Sequence, residues 1–123
     1  MAARKILVVD DEIDVRDILS KKLLQNNYDV KVLSAGKEVV SHCKTDRPDL
    51  ILLDIVLADT DGYSVAEALR EEKDLASVPI IFMTGQDLDV PEMAKKSAQF
   101  GVCDFITKPC AFSDVLEKIK VFV

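Results

Sequence analysis

The chain has 123 residues, enough for one domain and too few for two. Apolar residues make up 49% and charged residues 31%, the balance of a soluble globular domain with a single core. A net charge of −6 and a pI of about 4.7 give no counterion release on a polyanion, so direct binding of nucleic acid or an anionic membrane by this chain is excluded.

Three cysteines, Cys43, Cys103 and Cys110, form no C-x-x-C pair and are odd in number. That argues against a disulfide framework or a structural zinc site and for reduced thiols in or near the core. Unbroken apolar runs reach only four residues, against about 20 needed to span a bilayer. The N-terminal residues lead straight into a strand signal rather than a signal peptide, so the expected location is cytoplasmic.

In chain order, residues 6–9 form the first apolar tetrad, and short unbroken runs of this kind suit strands buried on both faces. Ile18, Leu19 and Leu23 then mark a helix. Tyr28, Val30 and Val32 alternate with Asp29 and Lys31, as in a half-exposed strand. Val39, Val40 and Cys43 mark a short second helix, and residues 50–53 a third strand. Val65, Ala66 and Leu69 give the third helix, and residues 80–83 the fourth strand. Met93, Ala94 and Ala98 give the fourth helix, with Pro91 near its start, where proline is tolerated. Residues 102–106 are a less regular fifth strand, and Phe112, Val115, Leu116 and Ile119 place the fifth helix at i, i+3, i+4 and i+7. Five strands alternating with five helices predict an α/β fold, a (βα)5 doubly wound parallel sheet with helices on both faces.

In such folds the loops at the carboxyl ends of the strands build the functional site. Strand one ends in Asp10-Asp11-Glu12, strand three in Asp54, strand four in Thr84-Gly85 and strand five in Thr107-Lys108-Pro109. A lone Asp after an apolar run is ordinarily a turn or helix-cap residue; the joint pattern is not accounted for that way. Converging strand ends bring together Asp10, Asp11 and Asp54, whose like charges cannot all stay ionised without compensation. Lys108 supplies one positive charge. Hard carboxylate oxygens without His or Cys favour Mg²⁺ for the remainder. A carboxylate can act as a nucleophile and form an acyl phosphate, and phosphoryl transfer needs mainly positioning and charge stabilisation. Thr84 could donate to a phosphoryl oxygen. The single histidine, His42, falls in the second helix, away from these loops.

Three other readings are open on the residues alone. An aspartate-nucleophile phosphatase wants a second acid two residues after the nucleophile, where this chain has Val56. A flavodoxin-like cofactor binder needs a Ser-, Thr- and Gly-rich phosphate loop after strand one, where Asp10-Asp11-Glu12 would repel phosphate. A phosphorylation-independent scaffold would bind its partner equally well with Asp54 replaced by Ala.

These motifs are similar to those of a known family. With the strand-one end at Asp10-Asp11-Glu12, Asp54 followed by Asp61-Gly62, Phe82-Met83-Thr84-Gly85, and Phe105 followed by Lys108-Pro109, the chain resembles the receiver domain of two-component response regulators over residues 4–121. The resemblance implies a flavodoxin-like sheet of order 2-1-3-4-5, with residues 1–123 forming one receiver domain. It implies that Asp54 accepts a phosphoryl group from a histidine kinase or histidine phosphotransfer protein. Asp10, Asp11, Asp54 and the Val56 backbone carbonyl would hold Mg²⁺. Thr84 and Lys108 would engage the phosphoryl oxygens, and Phe105 would turn inward as Thr84 moves. Lys108-Pro109 would be a cis peptide, a state found almost only before proline. The fourth helix, fifth strand and fifth helix would switch to control an output domain or protein, and activation through that face could form a homodimer. Beyond weak Mg-dependent autophosphorylation and autodephosphorylation, no enzyme activity is implied.

The chain departs from the family pattern at several positions. Ala58 stands where proline is frequent, Gly85 where Ala often follows the switch hydroxyl, and Phe105 lacks a tyrosine hydroxyl. The stretch between Thr84 and Lys108 is about two residues longer than usual, the extra length being expected around Gln86 to Pro91. Val56 and Gln86 would flank a hydrolytic water. Apolar Val56 cannot hydrogen-bond that water, so slow self-dephosphorylation is expected.

Overall fold

A computed structural model describes residues 3–85, 90–108 and 111–123. The elements in order are β1 (Lys5–Val9), α1 (Ile13–Gln25), β2 (Asp29–Leu33), a short 3₁₀ turn (Gly36–Glu38), α2 (Val39–Thr45), β3 (Leu50–Asp54), α3 (Gly62–Glu71), β4 (Ile80–Thr84), α4 (Val90–Gln99), β5 (Asp104–Thr107) and α5 (Phe112–Phe122). All strand pairs are parallel and the sheet order is β2-β1-β3-β4-β5. This is the fold class and strand order expected.

Side-chain alternation divides the core between the two faces of the sheet. Leu7, Val9, Ile51, Leu53, Ile80 and Phe82 pack with Val39 and Cys43 of α2, Val65, Ala66 and Leu69 of α3, and Met93 of α4. Ile6, Val8, Leu50, Leu52, Ile81 and Met83 pack with Leu19 and Leu23 of α1 and Val115 and Ile119 of α5. Every residue of β3 and β4 is buried, which is why both appear in the sequence as unbroken apolar runs. β2 is an edge strand with no fully buried residue.

Three details differ from the periodicity. Ile18 is 55% exposed and sits at the rim of a groove between α1 and α5, while Leu19 and Leu23 face the core. Among the described side chains of α4 only Met93 is buried; Ala94 and Ala98 are exposed. The fifth strand starts at Asp104, two residues later than expected, because the end of α4 occupies the preceding backbone. Gly101 has φ +63°, Gly101 N–H donates to the Ala98 carbonyl at 3.4 Å, and Val102 N–H donates to the Ser97 carbonyl at 2.8 Å. That is a Schellman ending, and it commits the Val102 donor to the helix.

Candidate phosphoacceptor and metal site

The parallel register brings the carboxyl ends of the strands to one edge. Val9 pairs with Leu53, Asp54 with Met83, and Thr84 with Thr107, so Asp10, Asp54, Thr84 and Lys108 emerge side by side. Asp10 is fully buried and Asp54 and Thr84 nearly so, whereas Asp11 and Glu12 are exposed at the mouth.

The carboxyl end of β3 is held from below. Asp61 caps α3, its carboxylate accepting the Ser64 N–H at 2.8 Å. The helix therefore begins at Gly62, whose N–H donates to the Ile55 carbonyl at 2.7 Å. A Cβ at position 62 would lie 2.5 Å from the Asp54 carbonyl oxygen, so only glycine lets the first turn of α3 close against the end of β3. Between them, Val56 makes an isolated antiparallel bridge to Asp61. That turn aims the Val56 N–H at Asp54 Oδ1, 3.0 Å away.

Lys108 organises the charges. Its Nζ donates to Asp54 Oδ2 at 2.8 Å, to Asp10 Oδ2 at 3.0 Å and to Glu12 Oε1 at 3.2 Å. Asp10 Oδ1 in turn accepts the Glu12 N–H at 2.9 Å. Burial pushes the Asp54 carboxyl up to about 6, against the pull of the Lys108 and Val56 hydrogen bonds and with the help of the Asp10 charge. Burial works to lower Lys108, but its bonds to Asp54 and Asp10 outweigh that and hold the ammonium above the usual lysine range.

Oxygens of Asp10, Asp11, Glu12 and Asp54 all lie within 4.8 Å of one another. One ammonium, that of Lys108, faces these four carboxylates and leaves negative charge uncompensated. An all-oxygen set of this kind fits a hard divalent cation such as Mg²⁺ and offers nothing to a soft metal.

The other candidate residues are close by. Thr84 Oγ1 donates only a long bond, 3.3 Å, to the Gly85 carbonyl. Phe105 lies on β5 and is 39% exposed. Val56 is 71% exposed at the rim of the site. His42 lies on α2, half-buried in a cleft with Lys5 and Asp46 by the amino end of β1, remote from the cluster. The Lys108-Pro109 peptide, Gln86, Cys110 and most of the lengthened loop lie outside the described residues.

Two participants were not singled out by sequence reasoning. Glu12 was read as part of a strand-end motif without a role of its own; its proximity to Lys108 depends on a contact across 96 residues. Asp59 accepts the Gly36 and Lys37 N–H groups at 2.9 and 3.0 Å, tying the loop after β3 to the 3₁₀ turn. An Asp in a turn, opposite a short helical N-terminus, is the only trace of this in the sequence.

A comparison with known proteins agrees with this geometry. Residues 6–120 match the family model described as the response regulator receiver domain. The chain is 34% identical over 120 residues to the alkaline phosphatase synthesis transcriptional regulatory protein PhoP of Bacillus subtilis, covering 98% of this chain and 48% of that protein, so it spans about half of that relative's length. Among solved structures, the receiver domain of a signal transduction histidine kinase from Syntrophus aciditrophicus is 32% identical with a TM-score of 0.86, covering 98% of this chain and 89% of that one. The chemotaxis protein CheY4 of Vibrio cholerae, at 24% identity, has the same fold, with a TM-score of 0.92 over 99% of this chain and 100% of that one. The chain belongs to the response regulator receiver domain family of two-component signalling.

Proposed function

We propose that residues 1–123 act as one phosphoacceptor domain that takes a phosphoryl group onto Asp54 and thereby changes its surface. The observation that supports this most is the state of the Asp54 carboxylate. It is buried at a strand end, fixed through Oδ1 by Val56 N–H and through Oδ2 by Lys108, and sits within a cluster of three further carboxylates. With its carboxyl raised only to about 6, Asp54 is largely ionised at neutral pH and so is a competent nucleophile.

In the transfer, an Asp54 carboxylate oxygen forms a bond to phosphorus as the phosphorus–nitrogen bond of a phosphohistidine donor breaks. The freed imidazole takes its proton from solvent. Mg²⁺ held by Asp10, Asp11, Asp54 and the Val56 carbonyl supplies positive charge for the phosphoryl oxygens when bound. Lys108 exchanges its bond to Asp54 for one to a phosphoryl oxygen. The Thr84 hydroxyl, weakly held by Gly85, turns to a second phosphoryl oxygen. Phe105 then packs into the space Thr84 leaves, and α4, β5 and α5 present the altered face to an output domain or protein, or to a second copy of the chain. The donor is a histidine kinase or phosphotransfer protein, and the setting is cytoplasmic; no helix among the described residues is long and apolar enough to cross a membrane. Apart from slow gain and loss of its own phosphoryl group, the domain is a switch rather than an enzyme.

The test is treatment with acetyl phosphate or beryllofluoride in Mg²⁺, read by intact mass and amide spectra. Wild-type protein gains one adduct on Asp54, and Asp54→Asn gains none. An unmodified wild-type protein overturns the proposal.

A further inference from the structure

An ammonium has three N–H donors, and those of Lys108 all end on carboxylates: Asp54 Oδ2 at 2.8 Å, Asp10 Oδ2 at 3.0 Å and Glu12 Oε1 at 3.2 Å. All three acceptors belong to residues that also offer an oxygen to the candidate metal cluster; Asp10 and Asp54 are buried, whereas the Glu12 side chain is 62% exposed at its mouth. An ammonium and a divalent cation repel one another and draw on the same Asp10 and Asp54 carboxylates. A cation held there would weaken two of the three bonds that keep Lys108 over the site.

Glu12 is placed to take up what the other two give away. It is the residue preceding α1, a position where the short side chains of Asp, Asn, Ser and Thr cap best and where glutamate is not a preferred cap. Here the side chain makes no cap bond and reaches across to Lys108 instead. Its backbone is fixed by the Glu12 N–H bond to Asp10 Oδ1 at 2.9 Å. The bonds close a ring from Glu12 N–H to the Asp10 carboxylate, from Asp10 to the Lys108 ammonium, and from Lys108 back to the Glu12 carboxylate.

We propose that Glu12 is a positioning residue for Lys108: it retains the ammonium at the rim of the site when Asp10 and Asp54 turn oxygens to a divalent cation, and in doing so it favours cation binding. The inference deepens the phosphoacceptor reading and rests on it.

The experiment is a Mg²⁺ titration of the full chain by calorimetry, with the Lys108 side-chain nitrogen resonance followed in parallel. Wild type, Glu12→Gln, Lys108→Met and the double variant are compared, and thermal melts check that all are folded. Glu12→Gln keeps the size of the side chain and removes its charge. It is expected to weaken Mg²⁺ binding about threefold, the scale of one partly exposed ion pair, and to enlarge the Lys108 resonance shift on metal addition. In the Lys108→Met background the same substitution is expected to change the affinity by less than about 1.5-fold. An undiminished effect in that background would mean that Glu12 acts on the cation by charge alone and overturns the inference, as does an unchanged affinity in Glu12→Gln itself. If wild-type protein takes up no Mg²⁺, both this inference and the phosphoacceptor reading fail; if it binds and Glu12→Gln binds equally, only this inference fails.

Discussion

In the proposed mechanism, the Val56 side chain, two residues past Asp54, flanks the approach of a hydrolytic water to an aspartyl phosphate. Val56 is 71% exposed there, and its isopropyl group neither donates nor accepts a hydrogen bond. Its N–H is already engaged with Asp54 Oδ1 at 3.0 Å. A hydrolytic water in that approach therefore lacks a side-chain partner at position 56. Val56→Asn supplies one, and the expected result is a phosphoryl lifetime shortened several-fold in a radiolabel decay assay, within the range of a positioned polar group in catalysis. A lifetime unaltered by the substitution contradicts this account. At this scale the site was largely legible in the sequence, because Asp10, Asp54, Thr84 and Lys108 each close a strand and the topology does the gathering. Glu12 was not: nothing local tells that its side chain turns toward a lysine 96 residues on.

Among the elements, α4 is secured at one end by a side chain from α3. The Arg70 guanidinium donates to the Phe100 carbonyl at 2.7 Å, to the Gly101 carbonyl at 3.1 Å and to the Leu75 carbonyl at 3.2 Å. It satisfies carbonyls that the helix end leaves open, and its charge complements the negative end of the helix dipole. Arg70→Met keeps most of the apolar stem and removes the donors. The expected cost is about 1–3 kcal/mol in denaturant melts, with faster amide exchange confined to Phe100, Gly101 and Val102. Uniform exchange along the whole of α4 would refute this local anchor. The buried strands β3 and β4 could be read from their apolar runs, since both faces are covered. The face of α4 could not be, because among its described side chains only Met93 is buried, and Ala94 and Ala98 after it are too small to mark a face. The start of β5 was hidden for a related reason: Gly101 and Val102 serve the end of a helix, while Val102 carries the residue type of a strand.

For the molecule as a whole, the acidic site opposes stability. The folded Asp54 carboxyl lies at about 6, above its usual 3.8, so the folded chain holds this proton more tightly than the unfolded one. The resulting stabilisation is complete below pH 3.8 and is lost as pH rises through about 6, on the order of 3 kcal/mol for a shift of this size. Lys108 is shifted upward, so its contribution persists throughout that interval. In chelator, the Asp54 contribution to the melting temperature is expected to be several degrees larger at pH 5 than at pH 7.5. Comparison with Asp54→Asn isolates it, because that variant lacks the titrating group. At pH 7.5, Mg²⁺ at a hundredfold excess over its Kd is expected to stabilise wild type by about 2.7 kcal/mol. Melts that are parallel in pH for both proteins, or wild-type melts indifferent to Mg²⁺, would refute this description of the site.

The missing side chain at Gly62 has a mechanical consequence. With the first turn of α3 seated directly on the Asp54 carbonyl, the end of β3 has a backstop against which it would not recoil if, as proposed, a bulky dianion were attached above it. Among the described residues Thr84 has no such brace: its hydroxyl holds a long bond to the Gly85 carbonyl, and a Cβ at Gly85 would meet nothing within 4 Å. Load applied at Asp54 is therefore steered sideways, toward β4 and β5, by the stiffness of the side that cannot yield.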